Sequence, residues 1–217
     1  MKVLITHEKS QVVCQAFRGR GHEAYSNDIQ PCSGGHPEWH LQMDCYEAID
    51  LMDWDFIGMH PVCTKMTLSG NRWYGAGKDK HDERLLAVED TIKLWNYACE
   101  KAKRGYMENP LGAMNGDIRL PKPQIIQPFY FGDGERKTTC LWLHNLPPLY
   151  HNKDVNLFDK NITHVPINYY TTSSGIKYTN VHNGCGYGWN TPECKEARSI
   201  TFPGIAKAMA NQWGIYG

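Results

Sequence analysis

The sequence predicts an α/β fold built on a doubly wound parallel sheet. Short apolar runs typical of strands alternate with helical patterns through the first hundred residues. Several polar residues directly follow the predicted strands, and an open α/β sheet binds its ligands at those carboxyl ends. The chain of 217 residues is long enough to bury a substantial core, so we expect one domain spanning residues 1–217.

The first predicted elements follow one another at short intervals. The run "KVLIT" (2–6) is typical of a short buried strand, and a helix follows with Ser10 as its N-cap and Gly21 as its C-cap. The stretch "HEAYSNDI" (22–29) predicts a second strand that ends at Asp28. These three elements form one strand–helix–strand unit.

The next elements extend the alternation. "LQMD" (41–44) predicts a short third strand, and "DFIGMHP" (55–61) predicts a strand that stops at its proline. Residues 85–103 carry apolar side chains every three or four positions and give the strongest helix signal. "GYMENP" (105–110) then begins as a strand and stops at another proline.

The pattern of alternating strands and helices ends near residue 120. The run "QIIQPFYFGDGERKTTCLWL" (124–143) predicts two strands around a glycine-rich hairpin, with Asp133-Gly134 as the turn signal. The chain closes with a helix in "TFPGIAKAMANQW" (201–213). The sequence therefore predicts that the C-terminal part completes the sheet and covers it.

Residues 150–195 are expected to form an irregular insertion or flap. They are rich in Asn, Gly, Tyr, Thr and Pro and show little periodicity. Their His and Cys residues lack the paired short spacings of a zinc site, so no metal is expected: His151, His164, His182, Cys185 and Cys194. Their aromatic residues could stack on bases or pack against one another: Tyr169, Tyr170, Tyr178, Tyr187 and Trp189.

Composition narrows the class of protein. Lys plus Arg equals Asp plus Glu, at 23 each, which argues against affinity that rests mainly on phosphate contacts. No apolar run approaches the ~20 residues that span a bilayer, and "MKVLITHEKS" does not resemble a signal peptide. The eight cysteines form no CxxC pair and indicate free thiols. We expect a cytoplasmic protein without a membrane partner.

The acidic residues after the second and third strands suggest a nucleotide-like ligand. Asp28 is placed to accept hydrogen bonds from ribose hydroxyls, and Asp44 could reach an adenine amino group. Both could equally cap turns. The first loop, "THEKSQ" (6–11), lacks the glycines that usually let backbone approach a cofactor.

A thiol and a carboxyl group follow two further strands. Cys63 alone would be interpreted as a core thiol, and Glu108 alone as a surface carboxylate. At neighbouring strand ends they would face one pocket as a nucleophile and an acid. A thiolate can add to an electron-poor ring while a carboxyl group shares a proton with a ring nitrogen, which suits pyrimidine chemistry.

The ordered set "HPVCT" (60–64), "ENP" (108–110) and "TFPGIAKAMANQW" (201–213) resembles the cytosine-5 DNA methyltransferases. It is most similar to small phage-encoded proteins described as DNA cytosine methyltransferase-like, which also share a run like residues 125–149. The resemblance covers most of the chain outside roughly 150–195. It implies a Rossmann-like methyltransferase sheet with a loop-rich insertion.

The resemblance also implies roles for individual residues. Cys63 would attack carbon 6 of a pyrimidine, Glu108 would hold ring nitrogen 3, and Arg136 or Lys137 would orient the base. S-adenosylmethionine would donate the methyl group, and DNA or a pyrimidine nucleotide would accept it. The cofactor would lie among residues of the strand-end loops and the last helix: His7, Glu8, Ser10, Asp28, Ile29, Asp44, His60, Pro61, Pro203 and Ala206.

Two other functions remain open at this level. The first is a catalytically degenerate protein of phage origin that binds a nucleotide or cofactor, favoured by "THEKSQ" and by the lack of a separate target-recognition domain. The second is a carbon-5 modifying enzyme for free pyrimidine nucleotides, which the neutral charge suits. The sequence does not indicate an oligomeric state.

Overall fold

The computed structural model describes residues 1–151, 169–171, 175, 177–179 and 191–216. The strands are β1 (Lys2–Thr6), β2 (Glu23–Asn27), β3 (His40–Leu41), β4 (Phe56–Met59), β5 (Arg104–Pro110), β6 (Gln124–Ile126), β7 (Thr139–His144), β8 (Tyr169–Thr171) and β9 (Lys177–Thr179). The helices are α1 (Val12–Arg18), α2 (Cys45–Asp50), α3 (Asn71–Tyr74), α4 (His81–Lys101), α5 (Pro192–Ser199) and α6 (Pro203–Trp213).

Seven strands form the main sheet in the order β3-β2-β1-β4-β5-β7-β6. The strands from β1 to β5 are parallel to one another, whereas β7 runs antiparallel to both β5 and β6. After β1 the chain adds β2 and β3 on one side of that strand. It then returns to the other side of β1 with β4, and the remaining strands of this sheet follow on that side. The crevice between the ends of β1 and β4 is therefore the switch point at which such sheets bind ligands.

Two buried clusters cover the two faces of the sheet. One cluster packs α2 and α4 against it through side chains such as Ile49 and Trp95, and the other packs α1 and α6 through Phe17 and Trp213. Helices on both faces, joined to parallel strands, confirm the predicted doubly wound α/β fold. The core thus fixes the positions of the strand ends, where the candidate residues lie.

The predicted start and end of α1 are wrong. The helix begins at Val12 after Gln11, which makes no side-chain capping bond, and Gly19 rather than Gly21 is its C-cap. Ser10 therefore lies in the loop before the N-cap. The helix has no local cap because a carboxylate from earlier in the chain, that of Glu8, accepts the hydrogen bonds of its first turn.

Other boundaries also move for identifiable reasons. β3 is only His40–Leu41, since Asp44 accepts a hydrogen bond from the Tyr46 amide and caps α2, a helix that the sequence did not predict. Helix α4 begins at His81, before the predicted residue 85. β6 and β7 pair antiparallel as predicted, but Asp133 accepts hydrogen bonds from the Gly204 amide instead of forming a tight turn.

The predicted insertion at 150–195 lies mostly outside the described residues. Within it the structure describes the paired strands β8 and β9 and the start of α5. No helix among the described residues combines the length and apolar character that crossing a membrane requires.

Candidate active site

The ends of β1, β2 and β3 bring together three of the predicted residues. His7 follows β1 in a left-handed conformation, with φ 57°, and its Nδ1 lies 3.1 Å from the Thr6 hydroxyl. Burial lowers the pKa of His7, while the carboxylates of Asp28 and Asp44 oppose that shift. The two carboxylates and the imidazole therefore form one electrostatic group, which we name the acidic half of the site.

Each carboxylate of the acidic half has one of its two oxygens bound to a backbone amide. Oδ1 of Asp28 accepts a hydrogen bond from the Gln30 amide at 2.9 Å, and Oδ1 of Asp44 accepts one from Tyr46 at 2.8 Å. Neither Oδ2 has a hydrogen-bond partner among the described residues. Ile29 lies beside Asp28 with its side chain exposed, so hydroxyl groups and a planar ring could both be accommodated here.

The loop after β1 reaches its shape without glycine. His7 and Gln11 both adopt positive φ, 57° and 60°, which costs a side chain free energy that glycine does not lose. Glu8 stabilises this shape: its carboxylate accepts hydrogen bonds from the amides of Val13 at 2.6 Å and Cys14 at 3.1 Å. The Glu8 side chain is buried, and burial raises its pKa to about 8. The predicted cofactor contact of this side chain is therefore corrected to a structural role.

Gln11 attaches the same loop to residues 32–36. Its Nε2 donates to the Ser26 hydroxyl and to the His36 carbonyl, while its Oε1 accepts from the His36 amide and the Cys32 thiol. The Ser33 amide donates to the Lys9 carbonyl at 2.9 Å. A Cβ at position 34 would lie 2.5 Å from the Ser10 carbonyl, so the close approach requires Gly34. Ser10 is thus packed against the protein's own chain on that side.

The turn after β4 places Cys63 at the crevice. Pro61 is buried, and its carbonyl accepts a hydrogen bond from the side-chain amide of Asn109 at 3.1 Å. The Cys63 carbonyl accepts from the amides of Met66 and Thr67, which closes the next turn. Asn109 follows Glu108 on β5, so one hydrogen bond fixes the two strand ends relative to each other. The Cys63 side chain remains partly accessible.

Cys63, Glu108 and Lys137 interact electrostatically. Burial and the neighbouring Glu108 carboxylate raise the pKa of the Cys63 thiol, and Lys137 opposes the shift. Burial also raises the pKa of Glu108, again against Lys137. The structure therefore brings the predicted nucleophile and acid together and adds the ammonium group of Lys137. We name these three residues the thiol half of the site.

Of the two basic candidates, Lys137 is the one placed at this group. Its Nζ donates to the Arg198 carbonyl at 2.7 Å and lies 5.8 Å from the centroid of the Phe202 ring. Arg136 is exposed, and its guanidinium carbon lies 6.0 Å from the Phe129 ring centroid. Lys137 is thus the one of the two that acts electrostatically on Cys63, and the role of either residue in orienting a base stays a prediction.

His60 connects the two halves as a neutral imidazole. Its Nε2 lies 2.7 Å from the Tyr106 hydroxyl, and its Nδ1 lies 3.4 Å from the Thr201 hydroxyl. Burial, together with His7 and Lys137, lowers the pKa of His60 to about 3. Tyr106 and Thr201 were missed in the sequence. In the sequence, Tyr106 is an ordinary core residue of a strand. No local pattern predicts that its hydroxyl lies beside the His60 imidazole.

The start of α6 closes the site from the C-terminal side. Pro203 is exposed at the first helical position, while the Ala206 side chain lies in the core at 1% exposure. The Ala206 side chain therefore packs in the core, and a contact of this residue with a cofactor stays a prediction. Asp133 accepts hydrogen bonds from the Gly204 amide, and this anchors the helix start beside Lys137 and Phe202.

Helix α5 lies across both halves, which the sequence did not reveal. Glu196 pairs with the Lys9 ammonium at 3.1 Å, next to the acidic half, and the Arg198 carbonyl accepts the Lys137 hydrogen bond at the thiol half. The irregular composition of residues 150–195 gave no signal for this helix. It is therefore a contribution of tertiary structure to the site.

No group of three or more His, Cys, Asp or Glu side chains that could hold a metal ion occurs among the described residues. Of the sequence candidates, His164, His182 and Cys185 lie outside the described residues, as do Tyr187 and Trp189. His151 stacks on Tyr130 with ring centroids 4.4 Å apart.

Comparisons with known proteins found likeness only among solved structures. No protein-family model matches the sequence, and a search of curated proteins gives no match. A prophage-encoded protein from E. coli, described as a DNA modification methyltransferase, is 13% identical with a TM-score of 0.43, over 66% of this chain and 46% of its own. The S. pombe Dnmt2 methyltransferase is 15% identical with a TM-score of 0.46, over 71% of this chain and 53% of its own. The chain thus spans about half the length of these two structures.

Proposed function

We propose that this protein methylates carbon 5 of a pyrimidine base, with cytosine in DNA as the expected substrate and S-adenosylmethionine as the methyl donor. The observation that carries the proposal is the convergence of Cys63, Glu108 and Lys137 at the ends of neighbouring strands. The Asn109–Pro61 hydrogen bond holds these strand ends in register. A partly accessible thiol beside a desolvated carboxyl group is the pair that addition to a pyrimidine requires.

The raised pKa of Glu108 favours the protonated carboxyl group. In that form Glu108 donates a hydrogen bond to ring nitrogen 3 and withdraws electrons from the ring. Protonation also removes the negative charge that disfavours the Cys63 thiolate. The neutral carboxyl group of Glu108 therefore withdraws electrons from the base and no longer disfavours the Cys63 thiolate.

The reaction then balances around the carbon 5–carbon 6 bond. The Cys63 thiol would give its proton to solvent, and its sulfur would bond to carbon 6 while the ring electrons pass to carbon 5. Carbon 5 would then take the methyl group as the methyl–sulfur bond of the donor breaks and the demethylated donor leaves. Loss of the carbon 5 proton to water would return the electron pair to the ring and expel the Cys63 sulfur. Lys137 holds positive charge beside both the sulfur and Glu108 through these steps.

The acidic half fits the nucleoside part of the proposed donor. Oδ2 of Asp28 and of Asp44 can each accept a hydrogen bond, from ribose hydroxyls and an adenine amino group. S-adenosylmethionine would supply an electrophilic methyl group when bound. His7 lies beside both carboxylates, and the exposed Ile29 offers an apolar contact for a planar ring.

The test compares methyl transfer by the wild type and by Cys63→Ala, with labelled donor and DNA. We expect transfer to fall by a factor of about 10³ or more in Cys63→Ala, because removing a covalent nucleophile eliminates the route. Cys99→Ala removes a partly buried thiol on α4 instead and should keep wild-type transfer. Activity that survives in Cys63→Ala would reject the adduct.

A second measurement traps the adduct directly. DNA containing 5-fluorocytosine cannot release a proton from carbon 5, so the sulfur–carbon bond should persist. Intact mass should then increase by one DNA strand in the wild type and not in Cys63→Ala. Parallel reactions with free pyrimidine nucleotides separate the two enzymatic alternatives, since transfer to the nucleotide but not to DNA would replace DNA as the substrate.

One observation favours the degenerate binding protein as the second candidate. The loop after β1 uses its polar side chains to bind its own chain, and Gly34 packs on the Ser10 carbonyl, where a cofactor could otherwise approach. Calorimetry with S-adenosylmethionine and its demethylated product tests this candidate. Tight binding without transfer to DNA, RNA or nucleotides would support it against the enzyme.

A further inference from the structure

Arg84 joins helix α4 to residues 63–71, which begin with the candidate nucleophile and which we name the thiol segment. Arg84 lies in the first turn of α4 and is only 7% exposed. Its Nε donates to the Lys65 carbonyl at 2.7 Å, and one of its terminal nitrogens donates to the Thr67 carbonyl at 3.1 Å. The other terminal nitrogen donates to the side-chain oxygen of Asn71. All three acceptors therefore belong to the thiol segment.

The position of Arg84 in its own helix does not account for a buried cation. The first turn of a helix favours negative charge, which Asp82 and Glu83 supply there. A buried guanidinium group also loses hydration, and no carboxylate forms an ion pair with Arg84 among the described residues. The three oxygens of the thiol segment therefore replace the lost hydration.

The shape of the guanidinium group makes this contact specific for one conformation of the thiol segment. The group is planar and presents its donors in a rigid fork, so it reaches three oxygens together only when they lie in fixed directions. The segment also packs closely at Gly70, where a Cβ would lie 3.0 Å from the Thr64 carbonyl and 3.3 Å from an Arg84 nitrogen. Arg84 therefore selects a compact form of the segment.

The contacts of Arg84 reach Cys63 through a single turn of the chain. The Cys63 carbonyl accepts hydrogen bonds from the amides of Met66 and Thr67, at 2.8 and 3.1 Å. Met66 is buried, and its own carbonyl accepts from the Ala113 amide at 2.7 Å. Arg84 binds the carbonyls of the residues on either side of Met66. The turn that begins at Cys63 is thus held from α4 as well as from the loop after β5.

We propose that Arg84 is a positioning residue of the candidate active site, which fixes the backbone at Cys63 so that the sulfur meets a bound base in one orientation. The effect on methyl transfer rests on the proposed function, whereas the hold on the thiol segment does not. A displaced nucleophile reacts more slowly even when substrate binding is unchanged, so the effect belongs to kcat and not to KM.

The experiment compares two rates in the full-length chain: methyl transfer, and alkylation of Cys63 by iodoacetamide at one pH. Peptide mass spectrometry separates Cys63 from Cys140, which is fully buried on β7 and serves as the internal reference. Arg84→Lys keeps the positive charge and loses the fork. We expect kcat to fall by about 10- to 100-fold with KM little changed. Alkylation of Cys63 should rise by about threefold or more, because a loosened segment exposes the thiol.

Two further variants separate the role of Arg84 from a general loss of stability. Asn71→Ala removes one exposed acceptor of the fork and should change both rates in the same directions as Arg84→Lys, by less. Arg104→Lys removes a guanidinium group that donates to the Tyr216 carbonyl at the start of β5, and it should match the wild type. Circular dichroism and the thermal midpoint verify that each variant is folded.

The proposal fails if folded Arg84→Lys alkylates Cys63 at the wild-type rate, or if Cys63 and Cys140 become reactive together. It also fails if alkylation rises while kcat stays the same. Should Arg84→Lys not fold, an unchanged rate of Cys63 alkylation in Asn71→Ala would overturn it.

Failure of this proposal is distinguishable from failure of the proposed function. Faster alkylation in Arg84→Lys, in a protein whose wild type transfers no methyl group, would retain the hold on the thiol segment and reject the transferase. Methyl transfer by the wild type, with both rates unchanged in Arg84→Lys, would retain the transferase and reject the role of Arg84.

Discussion

The loop after β1 and the turn after β4 end neighbouring parallel strands, yet they use their polar side chains in opposite ways. In the first loop, the side chains of Glu8 and Gln11 bind backbone amides, carbonyls and hydroxyls of their own chain. At the second, no hydrogen bond joins the Cys63 sulfur to another residue in the part of the chain that the structure describes, and Glu108 and Lys137 act on the thiol electrostatically.

This difference separates residues that hold the crevice together from residues that can react in it. A buried group whose hydrogen bonds are satisfied contributes to the free energy of unfolding. A desolvated group that faces another titratable group reduces stability and gains altered reactivity. Substitutions in the two regions should therefore affect different measurements.

The largest expected effect is that of Glu108→Gln on catalysis. The amide cannot supply the carboxyl proton to ring nitrogen 3, so methyl transfer should fall by about 10²- to 10⁴-fold. The thermal midpoint should stay the same or rise, because the variant no longer buries an ionisable group. Steady-state kinetics and calorimetry on the same sample test the contrast. A Glu108→Gln variant that lost stability and kept its activity would indicate a structural and not a catalytic role for Glu108.

Glu8→Ala should have the largest effect on stability. It leaves the amides of Val13 and Cys14 without their acceptor and removes buried volume, so unfolding should cost about 3 kcal/mol less. Urea denaturation measures the difference. Glu47→Ala, an exposed carboxylate in the first turn of α2, is the control and should change stability by about 0.5 kcal/mol. A similar loss in both variants would contradict a structural role for Glu8.

Gln11→Ala should destabilise the protein by about 2 kcal/mol, because it breaks the buried bonds to Ser26, Cys32 and His36. Gln15→Ala is the matched control, since it loses one exposed bond to the Gly34 carbonyl. Its stability should remain within about 0.5 kcal/mol of the wild type. Equal effects would mean that residues 32–36 do not stabilise the loop.

The pH dependence of stability gives a further test of Glu8. Its folded pKa, about 8, is raised from the ordinary value of 4.5, so the folded state binds more protons between these values. The stability that Glu8 contributes by binding a proton is fully present below about pH 4.5 and is lost as the pH rises toward 8. Between these values the free energy of unfolding changes by at most about 1.4 kcal/mol per pH unit. The difference in stability between wild type and Glu8→Gln should change across that window. A constant difference would show that Glu8 does not titrate there.

The smallest effect is expected for the ion pair that anchors α5. Glu196→Gln should lower stability by about 0.5 kcal/mol or less, because the pair with Lys9 is partly exposed. The loss should shrink as salt is added, since screening weakens the pair in the wild type. Thermal midpoints in low and high salt measure it. A loss above about 2 kcal/mol would indicate that α5 is part of the folding core.

The sequence by itself determined the α/β alternation of the main strands with α1, α4 and α6, and the residues at the strand ends. Apolar periodicity placed β1, β4, β5 and α6 close to their observed positions, because those elements bury continuous faces. The same logic placed Asp28, Asp44, Cys63 and Glu108 at one edge of the sheet, since parallel strands end on the same side.

Only the tertiary structure decided which of these side chains are buried in structural contacts and which remain accessible at the strand ends. Glu8 and Ala206 are buried, Lys137 rather than Arg136 acts electrostatically on Cys63, and α5 supplies the Arg198 carbonyl that accepts the Lys137 hydrogen bond. The physical reason is that burial and pKa depend on contacts between groups distant in the chain. Lys137 and the Arg198 carbonyl are 61 residues apart in the chain, and no local period in the sequence records their hydrogen bond.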